Sequence, residues 1–506
     1  MIKKDTSSIW MLTLLLLCSL LQFSCKESSD PLDEKNIIYY NIEVAGFNLA
    51  IQDGIPESEP SLQLLKDDLL SLPANVPQHI SDKMKEEKIY IVTGRGNEYV
   101  SHDSKDKHHA GSVVIGSLAK YRDDRKLRLF IWGLLLTMYY DNELTGGQKT
   151  EALNIYNSVK SKYDKVYYFN GVKLEKTKVQ VPAATGMLTY LTEITKCYAD
   201  TNYYYPFVYE ELGRFDPEGF GFLKKVIGDR DIEPNDHGIT LPPVDYVQGV
   251  EVSDDGKSVI SKVVPIDLWY SKYIVAKGPD PDKPGLPVVA SRFVSDLAIM
   301  QAKYIMEVML SRNPEALVYM LENNYRVGIV GAYENITDLP ETRAMPIWWP
   351  DTDWDARGRG YGATNALPIM TCGEENIIKM PEPYKERYST ESIMVHEFAH
   401  VIDFGLRGAA HDNFGELLDA AYKHAMDNKL WYDTYSASNA EEYWAEGVQA
   451  WFYTCRMMVF AKGQTTGQKS IIKYRTQLMD YDPMLYDLIS KYMPDVKLIG
   501  YHFDYE

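Results

Sequence analysis

The chain has 506 residues, of which 45% are apolar and 12% are aromatic, including 38 Tyr. That much apolar sequence predicts a globular protein with two or three packed domains. The formal charge of −19 at pH 7 argues against a nucleic-acid partner, because a phosphate backbone would be repelled and no stripe of Lys and Arg interrupts the acidic background.

The N-terminus has the features of an export signal. Lys3 and Lys4 precede an apolar run at 9–21 that is too short to span a bilayer. The run ends in Leu-Gln-Phe-Ser-Cys, which resembles a bacterial lipobox, and the acidic stretch that follows resembles the surface-export signals of Bacteroidota lipoproteins. The resemblance implies removal of 1–24 and a lipid anchor on Cys25, which would attach the protein to the bacterial outer membrane or cell surface. The alternative is a secreted protein in which this cysteine is incidental.

Cysteine usage agrees with this interpretation. Removal of the signal takes Cys18, and Cys25 carries the lipid, so Cys197, Cys372 and Cys455 remain. An odd number without paired spacing predicts neither a disulfide framework nor a cysteine-type zinc site.

Two pairs of segments show the chain matching itself. Leu69–Ser101 lines up with Met309–Thr337, and each is predicted as a helix that runs into a buried strand. Arg214–Asp229 lines up with Met479–Asp495, and in both an Asp-Pro pair begins a terminal helix. Because the order is preserved, the sequence predicts an α+β fold of two tandem copies, each a small mixed sheet packed on helices.

The first copy lacks metal chemistry in this alignment. Arg128–Asp141, an apolar helix, falls where the second copy has its histidines, and Val181–Tyr198 falls on the later helix that carries glutamates. The predicted domains are the signal peptide at 1–24, the tether and N-terminal segment at 25–60, the degenerate copy at 61–234, a linker with a possible hairpin at 235–290, and the catalytic copy at 291–506.

The second copy contains a His-Glu-x-x-His motif. Ser389 and Thr390 offer capping hydroxyls, and apolar residues recur with helical spacing through the motif. Residues four apart share a helix face, so His396 and His400 can present both imidazoles to one ion, with Glu397 beside them. The alternative is a pair of exposed histidines on an amphipathic helix.

A catalytic zinc needs a third protein ligand and an open position. Candidates lie on a helix that Asn439 is predicted to cap, where Glu442 and Glu446 stack one turn apart. Periodicity leaves open which carboxylate binds the metal and which orients a ligand from behind. The alternative is an acidic turn that faces solvent.

The spacing of these motifs resembles the zinc peptidases of the anthrax lethal factor type, which include the Pro-Pro endopeptidases. Their His-Glu-x-x-His motif is followed by a Tyr, and seven residues later by a Glu that opens a Glu-aromatic-aromatic-Ala-Glu run. The match is specific over 391–452. It implies that His396, His400 and Glu442 bind Zn2+, that Glu397 is the general base, and that Tyr435 donates a hydrogen bond to the developing oxyanion.

The resemblance extends to residues behind the ligands. Asp403 has a counterpart in the family motif and is expected to hold an imidazole in its tautomer, unless it is a solvated carboxylate at the helix end. Glu446 is expected to support a ligand in the same way. Lethal factor also carries a degenerate copy of its catalytic domain, which parallels the tandem zincin-like copies inferred above. Ahead of the motif, Glu374–Met380 is predicted as an edge strand that pairs with an extended peptide.

These features predict a zinc-dependent endopeptidase that hydrolyses peptide or protein substrates with a metal-activated water. One alternative is a cell-surface binding lipoprotein for a glycan or host protein, with a vestigial or structural metal site. Another is a metal-dependent hydrolase of a different substrate. A vestigial site should have lost Glu397 or Tyr435 before its ligands, and both residues are present.

Overall fold

The computed structural model describes residues 37–70, 76–93, 109, 112–124, 130–164, 166–170, 174–176, 181–230, 237–243, 250–253, 255–261, 269–380, 388–432, 434–455, 458–461 and 469–500. The protein is mixed α and β with small mixed sheets. It divides into two compact units, 1–170 with 175–233, and 171–174 with 234–506. The predicted signal peptide and Cys25 lie outside the described residues.

The first half of the chain contains a four-stranded sheet, a two-stranded sheet and helices. Its strands are β1 (Tyr39–Val44), β2 (Phe47–Gln52), β3 (Lys88–Ile91), β4 (Val113–Ile115), β5 (Tyr167–Phe169) and β6 (Leu174–Lys176). Its α-helices are α1 (Pro60–Leu70), α2 (Gln78–Glu86), α3 (Leu118–Asp124), α4 (Phe130–Glu143), α5 (Gly146–Val159), α6 (Met187–Tyr198), α7 (Tyr209–Phe215) and α8 (Pro217–Ile227). The sheet order is β1-β2-β3-β4, with β1 antiparallel to β2 and the other pairs parallel.

The second half begins with further strands and ends in helices. Its strands are β7 (Glu251–Val252), β8 (Val259–Ser261), β9 (Tyr270–Ala276), β10 (Leu286–Ser291), β11 (Arg326–Val330), β12 (Ile369–Gly373), β13 (Met458–Ala461) and β14 (Lys469–Ile472). Its α-helices are α9 (Asp296–Leu310), α10 (Pro314–Glu322), α11 (Met345–Trp348), α12 (Trp354–Arg357), α13 (Glu374–Ile377), α14 (Ile393–Gly408), α15 (Phe414–Asp427), α16 (Ala440–Trp451), α17 (Arg475–Tyr481) and α18 (Pro483–Tyr492).

The second sheet repeats the pairing of the first. Its order is β9-β10-β11-β12, with β9 antiparallel to β10 and the other pairs parallel. In each half, two helices connect the second strand to the third: α1 and α2 in the first, α9 and α10 in the second. A helical connection of this kind is what a parallel pair of strands requires.

The structure bears on two expectations about segments. The stretch at 235–290, expected to be a linker with a possible hairpin, contains the antiparallel pair β7 and β8. It also contains β9 and most of β10, which belong to the second sheet. The predicted edge strand Glu374–Met380 is wrong: the edge strand is β12, and Glu374–Ile377 forms a helical turn once the pairing with β11 ends at Gly373.

One stretch of the first half matches a stretch of the second without a gap. A 3-10 helix at Pro182–Ala184 precedes the 12-residue helix α6, and a 3-10 helix at Tyr435–Ala437 precedes the 12-residue helix α16. The N-cap residues, Gly186 and Asn439, also correspond. Residues 181–198 and 434–451 can therefore be compared position by position.

A buried hydrogen bond fixes the register of this comparison. Tyr190, in the first turn of α6, donates to Asp216 Oδ2 at 2.6 Å, and Tyr443, in the first turn of α16, donates to Asp482 Oδ2 at 2.6 Å. Each aspartate is also the N-cap of the last helix described in its half, with a proline directly after it. The two tyrosine–aspartate pairs therefore serve the same purpose.

The core of the second half surrounds α14. The buried apolar face of α14 consists of Met394, Val395, Phe398, Ala399, Val401, Ile402 and Leu406. It packs in one cluster with residues of β10, β11, α9, α10, α16 and α18. Among the described residues, no helix is long and apolar enough to cross a membrane. Cys197, Cys372 and Cys455 are buried free thiols.

Candidate metal centre

Helix α14 carries the His-Glu-x-x-His motif and is capped by Ser392. The Ser392 side chain accepts a hydrogen bond from the backbone N–H of Val395, so the cap lies three residues after Ser389 and two after Thr390, the hydroxyls expected to provide it. One helical turn separates His396 from His400, and both imidazoles lie on the same face. Their exposed fractions are 6% and 9%, which rules out the alternative of two solvent-facing histidines.

Helix α16 brings a carboxylate to these imidazoles. Asn439 caps it as predicted, accepting from the backbone N–H of Glu442 at 2.7 Å. The indole N–H of Trp444 donates to the carbonyl of Ala399 at 2.9 Å and ties α16 to the middle of α14. The first turn of α16 therefore lies beside the face of α14 that carries the histidines.

Three acceptor atoms converge between the helices. His396 Nε2 lies 3.0 Å from Glu442 Oε2 and 3.2 Å from His400 Nε2, and His400 Nε2 lies 3.3 Å from Glu442 Oε2. Tetrahedral ligands at the usual zinc distances of about 2.0–2.1 Å would be separated by about 3.3 Å. The group could hold a metal ion, and of the two candidate carboxylates Glu442 is the one that lies with both imidazoles.

The ionisation of the group reflects the same convergence. Burial alone would lower the pKa of His396, but the hydrogen bond to Glu442 and the charges of Glu397 and Glu446 raise it to about 9. Burial alone would raise the pKa of Glu442, yet the hydrogen bonds to His396 and His400 bring it well below its ordinary value. Without a metal ion, a proton therefore supplies the positive charge that these atoms require.

Glu397 lies beneath a short strap of backbone. The Gly-Tyr-Gly strap (Gly360–Gly362) pairs antiparallel with the edge strand β12 through two hydrogen bonds between Tyr361 and Thr371, of 3.2 and 2.9 Å. A Cβ at Gly360 would overlap Ile393 and lie 3.2 Å from Glu397 Oε1. Only glycine lets the backbone approach the carboxylate this closely. Burial raises the pKa of Glu397, which the charges of the two imidazoles oppose.

Tyr435 lies at the rim of the site. Its side chain is 49% exposed, and its hydroxyl donates to Glu442 Oε1 at 2.8 Å. Burial of the hydroxyl and this hydrogen bond both raise the pKa of Tyr435. The phenol therefore stays protonated at neutral pH and remains a hydrogen-bond donor.

The two residues expected behind the ligands behave differently. Asp403 Oδ1 accepts from Arg407 Nε at 2.6 Å, and burial raises its pKa against the effect of that guanidinium. The expectation that Asp403 holds an imidazole differs from this structure, because Arg407, one turn along the same helix, takes the carboxylate. Glu446 is fully buried one turn after Glu442, and its charge is among those that raise the pKa of His396.

Sequence reasoning missed Gln449. Its Oε1 lies 3.2 Å from His396 Nδ1, the nitrogen that faces away from the convergent group. The signal was available, because Gln449 is seven residues after Glu442 and therefore lies on the same face of α16. The residues expected behind the ligands, Asp403 and Glu446, are both carboxylates, whereas Gln449 is an amide.

The chain matches no family model, no curated protein and no solved structure.

Proposed function

We propose that the protein is a zinc-dependent endopeptidase whose active site is the group His396, His400 and Glu442 with Glu397 and Tyr435. The convergence of the three acceptor atoms at 3.0–3.3 Å carries the proposal. These atoms can lie this close together only with a positive charge among them, which a proton supplies in the metal-free protein and a metal ion would supply in the proposed site. Their separations fit a tetrahedral zinc ion that keeps one position open.

The residues around this group have distinct tasks. His396, His400 and Glu442 hold the ion, which when bound supplies a Lewis acid that polarises a carbonyl and lowers the pKa of water. Glu397, with its raised pKa, accepts the proton of the attacking water and passes it to the leaving amine. Tyr435 is a protonated donor at the rim and stabilises the developing oxyanion after its hydroxyl leaves Glu442.

The first half of the chain supports the proposal that only one of the two copies is catalytic. At the positions that match Tyr435, Glu442 and Gln449 in the gap-free comparison, it has Pro182, Thr189 and Lys196. The tyrosine that bonds the capping aspartate is kept, as is a buried glutamate, Glu193, at the position of Glu446. We therefore propose two tandem zincin-like copies of which only the second is catalytic.

The resemblance to the lethal factor and Pro-Pro endopeptidase type favours peptide bonds as the substrate. Lipid attachment at Cys25 to the outer membrane or cell surface is part of the same proposal, and it would present the catalytic unit to peptides outside the cell. The alternative of a surface-binding protein with a vestigial site is disfavoured, because the base and the donor accompany the ligands.

The test is a comparison of variants of the chain that begins after Cys25. Glu397→Gln keeps the three ligands and removes the base, so it should bind one zinc per chain but cleave no peptide in a mixed peptide library. Glu416→Gln, on the exposed face of α15, is the matched control and should cleave like the wild type. Full activity in Glu397→Gln with zinc bound would overturn the proposal.

A further inference from the structure

The side-chain amide of Gln449 is held in one orientation. Gln449 is fully buried, and its Nε2 donates to the carbonyl oxygen of Ser392 at 2.9 Å, with Glu391 Oε2 at 3.5 Å. Both of these oxygens accept hydrogen bonds and neither donates. The atom that faces them must therefore be the amide nitrogen, and Oε1 must face His396.

This orientation determines which nitrogen of His396 carries a proton. Oε1 of Gln449 is an acceptor, so His396 Nδ1, 3.2 Å away, has to be the donor. The neutral imidazole then keeps its lone pair on Nε2, which is the atom that meets Glu442 and His400. Reversal of the amide would place its oxygen against the Ser392 carbonyl and the Glu391 carboxylate, so the tautomer is fixed.

The backbone holds the two helices in register for this contact. The N–H of Ser392 donates to the carbonyl of Thr454 at 2.9 Å, and the N–H of Thr454 donates to the carbonyl of Gln449 at 2.8 Å. The start of α14 and the end of α16 are thus connected through main-chain as well as side-chain bonds. Gln449 consequently has little freedom to move away from His396.

We infer that Gln449 is a positioning residue, which fixes the tautomer and the ring orientation of His396 so that Nε2 is presented to the metal. The inference rests on the proposed metal site. The first half of the chain shows the contrast: Lys196 stands at the matching position, and its ammonium pairs with Glu193 at 2.7 Å. An ammonium has no acceptor atom, and α4 has no histidine for it to orient.

The experiment measures zinc affinity by competition with a chromogenic chelator. Gln449→Leu removes the hydrogen bonds of the amide to His396 and Ser392. It should weaken zinc binding by about 10–100-fold, the usual effect of losing the partner of a ligating histidine. Gln449→Glu keeps an acceptor opposite His396 but turns its second oxygen towards the Ser392 carbonyl and the Glu391 carboxylate, so it should recover only part of that loss. Gln477→Leu is the matched control, because Gln477 caps α17 with its side chain and has no contact with the site; its zinc affinity should equal that of the wild type.

A spectroscopic measurement separates orientation from general stability. In the zinc-loaded wild type, 15N NMR should show His396 bound through Nε2, with a slowly exchanging proton on Nδ1. Binding through Nδ1, or wild-type affinity in folded Gln449→Leu, would overturn the inference and leave the peptidase proposal standing. A wild type that binds zinc as described but cleaves no peptide would refute the peptidase proposal alone, and a wild type that binds no zinc would refute both.

Discussion

Tyr435 and Glu442 are joined by a hydrogen bond of 2.8 Å from the phenol to Oε1, one oxygen of the carboxylate. The other oxygen, Oε2, is the one that faces both imidazoles. Glu442 is therefore oriented from the rim of the site, and its second oxygen faces the place where a metal ion could bind. The same hydroxyl is placed to act in the proposed reaction.

Tyr435→Phe should affect catalysis more than metal binding. The loss of one hydrogen bond to Glu442 costs about 1 kcal/mol, which corresponds to a zinc affinity weaker by about fivefold. The loss of an oxyanion donor should lower kcat by about 10²–10³-fold. Steady-state kinetics beside zinc titration would separate the two effects, with the exposed Tyr432 changed to Phe as the control. Unchanged kcat would mean that Tyr435 only orients Glu442.

Zinc binding should release protons near neutral pH. In the metal-free protein the pKa of His396 is raised to about 9, so at pH 7 the imidazole is charged and must lose a proton before it can bind zinc. Below pH 9 the apparent affinity for zinc should therefore weaken as the pH falls, by about tenfold per pH unit for each proton released. Calorimetric titration at pH 7 in two buffers of different ionisation enthalpy would count those protons. A count of zero would contradict the prediction.

The metal-free protein should lose stability as the pH rises. Because the folded-state pKa of His396 lies above its ordinary value of 6.5, its contribution is complete below pH 6.5 and is lost as the pH rises through about 9. Glu442, with a lowered pKa, contributes above its ordinary value of 4.5 and loses that contribution in acid. We expect the difference in the free energy of unfolding between the wild type and His396→Gln to shrink from pH 6.5 to 9.5. Urea unfolding in the presence of a chelator measures it. A difference in the free energy of unfolding that is constant with pH would refute this prediction.

Local spacing predicted which histidines the structure brings together. The two histidines lie one turn apart on a single helix, so their shared face follows from helical geometry alone, and the Asn439 cap of α16 is equally local. The position of Glu442 next to them was found through the resemblance, since periodicity could not separate it from Glu446. The mixed α and β class followed from the two matching segments that were each predicted as a helix running into a buried strand.

Contacts that depend on how helices cross were predicted less well. Gln449 meets His396 only because α16 lies against the start of α14, and a single sequence contains no measure of that crossing. Asp403 was placed on an imidazole, but Arg407 competes for it from the same helix. The edge strand was predicted a few residues too far along the chain. Glu374–Ile377 turns into a helix instead, and the Glu374 side chain accepts from the backbone N–H groups of Ser295 and Ala332, contacts that a single sequence does not reveal.

Gly360→Ala should disturb the proposed active site, because Gly360 lies in the backbone strap next to Glu397. The added Cβ would overlap Ile393 and approach Glu397 Oε1, so we expect a loss of stability of about 1–3 kcal/mol from overpacking together with reduced peptide cleavage. Gly358→Ala is the matched control, since the nearest atom to its Cβ would be the Tyr388 hydroxyl at 3.7 Å. Equal melting temperatures and equal activities for the two variants would show that the strap adapts.

We predict two separable unfolding transitions, one for each unit with its capping aspartate. Asp482 is buried and accepts from Trp431, Tyr443 and the backbone of Leu485, so Asp482→Ala leaves buried donors without partners and should cost about 3 kcal/mol or more. Asp216→Ala should do the same in the first unit, where the aspartate accepts from Tyr190 and a second tyrosine.

Zinc distinguishes the two variants. It binds the second unit in our proposal, and at a free concentration of 100 times Kd it would add about 2.7 kcal/mol there. Scanning calorimetry with and without zinc should therefore show that Asp482→Ala lowers the transition that zinc raises. Asp216→Ala should lower only the transition that zinc leaves unchanged, because the first unit has Thr189 and Lys196 where the second has Glu442 and Gln449. If zinc raised both transitions equally, or if Asp216→Ala weakened zinc binding, the assignment of the metal to the second unit alone would be wrong.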